Sequence, residues 1–119
     1  MIAVIFELWP AEGRKADYLN YAAKLRAELE QIDGFISNER FQSLSDPSKL
    51  LSVSFWRDET AVMAWRRHAG HRAAREAGRN DGIFRDYRLR VAGIVRDYGM
   101  TQMREQAPQD GGIADNALM

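Results

Sequence analysis

Four side chains that could carry chemistry together lie within one eight-residue stretch: Trp65, His68, His71 and Arg72. The first three are spaced by three residues, so on a regular helix neighbours in that series share a side. Neutral histidine is the natural proton acceptor near pH 7. Tryptophan adds a flat wall for an aromatic molecule and an indole N–H donor, and arginine adds a fixed positive charge. The His68-x-x-His71 pair has no acid four residues after either member, so no metal site is expected there. The chain has no cysteine, which excludes a thiolate nucleophile, a disulfide framework and Cys-ligated zinc or iron–sulfur centres.

These residues open an arginine-rich tract. Residues 66–90 hold eight arginines against Glu76, Asp81 and Asp86, although the 119-residue chain as a whole is neutral, with 17 basic and 17 acidic side chains. Such a tract reads first as a solvated helix face followed by an arginine-rich strand. With no net charge, RNP-type strand or zinc finger, nucleic acid is not an expected partner. Apolar residues make up 45% and charged residues 29%, the composition of one folded domain. No apolar run approaches the roughly 18 residues needed to cross a bilayer. Met1–Phe6 has no basic flank and meets Glu7 at once, unlike a secretory leader, so the chain reads as cytoplasmic.

The elements that must position the stretch follow from periodicity. Ile2–Trp9 alternates as a strand, with Ile2, Val4, Phe6 and Leu8 on one face, and Pro10 ends it. A helix from about Gly13 to Ile32 carries Tyr18, Tyr21, Ala22, Leu25, Leu29 and Ile32 as one stripe. Arg14 and Lys15 stand at its start, where the helix dipole prefers acids. Asp33-Gly34 stops it. Strands are expected over Phe35–Leu44 and Leu50–Arg57, joined by the Asp46-Pro47-Ser48 turn. Asp58 caps a second helix that breaks at Gly70 and resumes over His71–Ala77, with a Gly78–Gly82 loop after it. A long last strand runs over Ile83–Tyr98, bent at Gly93. The order β-α-β-β-α-β predicts an α+β, ferredoxin-like fold: a four-stranded antiparallel sheet with both helices on one face. Its first, third and fourth strands are apolar on both faces, which predicts a two-fold homodimer through the sheet. Trp56, Leu50 and the outer face of the last strand are expected at that interface.

The stretch Ser52–Gly78, SVSFWRDETAVMAWRRHAGHRAAREAG, followed by IFRDYRLRVAG over Ile83–Gly93, resembles the antibiotic biosynthesis monooxygenase (ABM) domain. The first strand and the first helix, ending in Asp33-Gly34-Phe35, fit the same pattern, and the likeness covers about residues 1–98. It implies a dimeric α+β barrel with a pocket inside each monomer, between sheet and helices. It also implies a cofactor-independent monooxygenase that oxidises an aromatic, quinol or polyketide-like molecule with O2. Two alternatives follow from the same family: a haem-binding or haem-degrading enzyme, and a non-catalytic small-molecule binder. The haem degraders carry an Asn on the first strand, a Trp on the second helix and an iron-ligating His nearly three turns after it. Here Trp65 matches, the first strand has no Asn, and Arg75 stands near the histidine position.

On this reading His71 and His68 are the candidate bases, with Trp65 as a further catalytic candidate. Trp65, Arg72 and Phe84 are the substrate-binding candidates. No metal or cofactor is expected, haem being the alternative, and the partners are a small aromatic molecule, O2 and a second copy of the chain, with no nucleic acid or membrane. The domain is expected over 1–99. Residues 100–119 form a tail whose Ile113, Leu118 and Met119 could dock on the partner subunit.

Overall fold

The computed structural model describes residues 1–75 and 82–108, with the side chains of residues 71 and 73–75 outside that description. Its elements are β1 (Ile2–Pro10), α1 (Lys15–Glu30), β2 (Phe35–Gln42), β3 (Leu50–Trp56), α2 (Glu59–Arg75) and β4 (Phe84–Gly93), followed by a short 3-10 turn at Arg104–Gln106. The strands form one antiparallel sheet in the order β2-β3-β1-β4. This is the expected ferredoxin-like arrangement. No helix among the described residues is long and apolar enough to cross a membrane.

The ends of the elements have local causes. Arg14 at the start of α1 is answered by Asp17, whose carboxylate accepts from Arg14 Nε at 2.6 Å, and Lys15 donates to Gln42 at 2.8 Å. The two basic residues at the positive end of the helix dipole therefore have partners. Asp58 caps α2 as expected: its Oδ1 accepts the Ala61 N–H at 2.9 Å. Its carboxyl is held below the ordinary aspartate range, first by the hydrogen bond from Arg57 and then by that backbone donor.

Three boundaries differ from the sequence expectation. Helix α2 runs unbroken through Gly70 to Arg75, because a single helical glycine costs only about 1 kcal/mol against alanine. β2 ends at Gln42, where the Gln42 amide donates to the carbonyls of Ser43, Asp46, Pro47 and Lys49 and gathers the turn around itself. β4 ends at Gly93 because its neighbour runs out: Gly93 pairs with Ile2, and the Ile94 N–H then reaches the Met1 carbonyl at 3.0 Å. The irregularity falls between Trp9 and Pro10 instead, where proline has no N–H for the ladder and the Ala11 N–H takes the Ile83 carbonyl at 2.7 Å.

The register decides which face is covered. Residues opposite one another in an antiparallel pair share a face. Val4 pairs with Ser54 and Val91, Phe6 with Ser52 and Leu89, and Leu8 with Leu50. That face lies under the helices at β1 and β3, while Leu89 and Val91 of β4 are left exposed. Leu8, Tyr18, Ala22, Leu50 and Ile83 form one buried cluster, and Leu29, Trp56, Ala61 and Val62 form another. Trp56 and Leu50 are 1% and 5% exposed in these clusters, which corrects their expected place at a dimer interface. The alternation of Leu50, Ser52, Ser54 and Trp56 looks like the weaker, wetter side of the strand, yet it is the buried one. Ser52 and Ser54 are themselves buried.

The opposite face carries Ile5, Leu51, Val53 and Phe55, half-buried, with Ile36 and Phe41 exposed beside them. Polar groups occupy its β1–β4 side. Glu7 meets Lys49 at 3.3 Å and Arg90 at 3.2 Å, and both hold its carboxyl below the usual range, Lys49 most strongly. After β4 the chain folds on itself: Arg104 donates to the Gly99 carbonyl and sits over the Tyr98 ring, and Gln106 accepts the Asp97 N–H. Ile113, Leu118, Met119 and most of the Gly78–Gly82 loop lie outside the described residues.

Candidate functional site

The two buried clusters are separated by a cavity of about 340 Å³ between the sheet and the helices. Its floor is made by Val4 and Phe6 of β1 and by Ser52, Ser54 and Trp56 of β3. Its roof is Tyr18, Tyr21, Ala22, Leu25 and Leu29 of α1 with Val62, Trp65 and Ala69 of α2. Phe84, Leu89 and Val91 of β4 line one side and are exposed there, and Asn38 and Arg40 of β2 line the other. The space exists because small residues stand where the two layers face each other. Serines sit at the centre of the floor and Ala22 and Ala69 sit in the roof, while Trp56 stands at one end of the floor.

The walls differ in chemistry. On the β4 side, the Phe84 ring lies 5.7 Å from both Phe6 and Tyr18 and 5.9 Å from Tyr87, in edge-on and tilted contacts. On the β2 side is a connected polar group. Arg40 Nε donates to the Tyr18 hydroxyl at 3.1 Å, and its Nη1 donates to Asn38 Oδ1 at 2.9 Å. The Asn38 amide donates in turn to Ser52 Oγ at 3.0 Å and to the Val53 carbonyl at 3.3 Å. Ser54 Oγ accepts the Trp56 indole N–H at 2.8 Å. Arg26 reaches across from α1 to the Asn38 carbonyl at 3.0 Å. An apolar chamber with a few convergent polar groups on one wall is the usual form of a small-molecule site, and its volume is at the low end of the roughly 300–1,000 Å³ such sites occupy.

Residues 1–77 match the family model described as antibiotic biosynthesis monooxygenase. The chain belongs to the antibiotic biosynthesis monooxygenase family. It is 43% identical over 116 residues to the jasmonate monooxygenase ABM of Pyricularia oryzae, an alignment covering 98% of this chain and 54% of that protein. The chain thus spans about half the length of this curated relative. Among solved structures, a putative antibiotic biosynthesis monooxygenase from Deinococcus radiodurans superposes with TM-score 0.69 at 16% identity, over 84% of this chain and 98% of that one. The haem-degrader MhuD from Mycobacterium tuberculosis, with two haems in its active site, gives 0.64 at 20% identity, over 83% and 100%. A mutant of SnoaB, a cofactor-independent oxygenase from Streptomyces nogalater, gives 0.64 at 11% identity, over 81% and 94%. At these identities the likeness speaks for the fold.

Within this ABM chain the residues singled out from sequence divide. Trp65 and Phe84 line the cavity, from the roof and the β4 wall. His68 does not. Its ring stacks on Trp65 with centroids 5.6 Å apart, and its Nε2 lies 3.7 Å from Glu28 of α1. Arg72 reaches the other oxygen of Glu28 at 3.2 Å, so Glu28 draws both toward the α1–α2 seam. The side chain of His71 lies outside the described residues.

Residues that sequence reasoning missed line the polar wall: Asn38, Arg40, Ser52 and Tyr18. Their signal becomes readable once β2 is paired with β3, because Asn38 falls opposite Ser54 and Arg40 opposite Ser52. Among the described residues the lining has no histidine, cysteine or methionine.

Proposed function

We propose that this ABM-family protein is a cofactor-independent monooxygenase that holds a small, largely apolar organic molecule in the cavity and oxidises it with O2. The observation that carries the reading is the cavity itself: apolar on most sides, polar on one, and lined by the elements that define the family fold. Membership of the family, a relative named as a jasmonate monooxygenase and a structural neighbour described as a cofactor-independent oxygenase support it. Aromatic, quinol and polyketide-like molecules remain the proposed substrates, and the relative's name adds jasmonate-like molecules.

The chemistry balances without a bound redox group when the substrate supplies the electrons. In an anthrone the methylene flanked by the two rings loses a proton, and the resulting carbanion passes one electron to O2. Recombination gives a peroxide, which eliminates water to leave a ketone. The four electrons lost by carbon are the four that O2 gains. The protein must supply a base, a site that excludes water and donors for the developing anion. His71 is the proposed base. His68, stacked on the cavity-lining Trp65, is the alternative. Tyr18 supplies a donor, since its hydroxyl accepts from Arg40 and keeps its own proton.

The test is O2 uptake with quinols, anthrones and jasmonate, without added metal, for the native chain and for Ala69→Phe. The variant places a ring in the roof of the cavity and is expected to lower turnover at least tenfold while the circular dichroism stays native. Uptake that the filled cavity leaves unchanged, or no uptake with any of these substrates, would overturn the proposal.

The proposed assembly is a homodimer through the open sheet face. Light scattering at micromolar concentration is expected to give twice the chain mass of 13.6 kDa, and Val53→Lys, which puts a charge at the centre of that face, is expected to give the monomer. A monomeric native chain would remove this reading.

A further inference from the structure

We propose that Arg40 is the anion anchor of the cavity and that the molecule bound there is an organic acid, seated with its carboxylate on β2 and its apolar body toward Phe84. The inference rests on the reading of the cavity as the substrate site. It goes further by fixing the charge of the ligand and its orientation.

The argument begins with charge. The side chains lining the cavity include three arginines, Arg26, Arg40 and Arg66, and no carboxylate. Arg26 already has a counter-ion, since its Nε meets Glu30 at 2.8 Å. Arg40 differs. It is half-buried, and its partners are two neutral oxygens, the Tyr18 hydroxyl and Asn38 Oδ1. Among the described residues no carboxylate pairs with it. A partly desolvated guanidinium without a counter-ion is unfavourable, and an incoming anion relieves that cost.

Geometry points the same way. The bonds to Tyr18 and Asn38 use Nε and one Nη1 hydrogen, leaving the other Nη1 hydrogen and both on Nη2. That fork suits two oxygens of one carboxylate. The Tyr18 ring lies under the guanidinium, 5.8 Å from its carbon, and Asn38 is itself held by Ser52 and the Val53 carbonyl. The anchor is therefore oriented before a ligand arrives, which limits the entropy lost on binding. Across the cavity, Phe84 with Phe6 offers aromatic surface to the other end of the molecule.

The test compares acids with their methyl esters, which have nearly the same shape and no charge. Isothermal titration of the full chain with jasmonate and methyl jasmonate, and with decanoate and methyl decanoate, is expected to show each acid binding at least tenfold more tightly. Arg40→Gln should remove that preference while ester binding stays within about twofold. Arg40→Lys, which keeps the charge and loses the fork, should retain part of it. Equal binding of acid and ester to the native chain overturns the anchor and leaves the cavity standing as the substrate site. A preference that survives in Arg40→Gln, or disappears instead in Arg66→Gln, overturns the assignment to Arg40. If no acid or ester binds, both the cavity reading and the anchor fall.

Discussion

Replacing Trp56 with alanine is expected to destabilise the protein by about 3–5 kcal/mol, the usual range for removing a buried tryptophan. Its side chain is 1% exposed and packs among Leu29, Ala61 and Val62. The Phe35 ring meets it edge-on at 5.3 Å. Its indole N–H is spent on Ser54 Oγ, so the variant also leaves a buried hydroxyl without its donor. Because Trp56 forms part of the cavity floor, the loss should enlarge the chamber and weaken binding of any ligand that fills it. Urea denaturation reads the first effect through a lower midpoint. The result also tests the orientation of β3: a cost below about 1 kcal/mol would put Trp56 on the open face, where alternation alone had it.

Gly34→Ala is expected to cost about 2–5 kcal/mol, from two sources that can be separated. Gly34 has φ +91°, a conformation that costs an L-residue roughly 1–2 kcal/mol. A Cβ there would also lie 2.7 Å from the Cβ of Ala61, which is 2% exposed and cannot easily retreat. Overpacking of this kind adds typically about 1–3 kcal/mol. The site joins three elements, since the Gly34 carbonyl accepts the Arg57 N–H at 2.7 Å, between the end of β3 and the start of α2. Thermal unfolding of Gly34→Ala, Ala61→Gly and the double variant forms a cycle. The steric part should be recovered in the double variant and the conformational part should persist. Strict additivity would show that the close approach carries no energy.

Much of the fold was legible because it rests on local rules. The period-two run in Ile2–Trp9, the helical stripe from Tyr18 to Ile32, the Asp58 cap and the Asp33-Gly34 stop each depend on residues close in sequence. Together they determine the element order, and the order determines a ferredoxin-like sheet. The resemblance carried by Ser52–Gly78 and Ile83–Gly93 reached the family for the same reason: it is a contiguous pattern.

The site was less legible, and its residues show why. Trp65 and Phe84, which line the cavity, stand out in a sequence as large aromatic residues. His68 stood out equally, but only the packing of α1 against α2 brings Glu28 beside it and draws it to the seam. Nothing in the sequence marks Arg40 and Asn38 of β2, and the face of β3 that holds Ser52 and Ser54 was expected outside, with Leu50 and Trp56 at a dimer interface. Which face of a strand is buried depends on what packs over it, and alternation is the same whichever face that is. The sequence by itself determined the elements, their order and the family. Only the tertiary structure decided that the serine face of β3 is the inner one, that a cavity separates the two apolar clusters, and that Arg40 enters it without a counter-ion. Those facts depend on strand register and on helices standing off the sheet, and both are set by contacts between residues far apart in the chain.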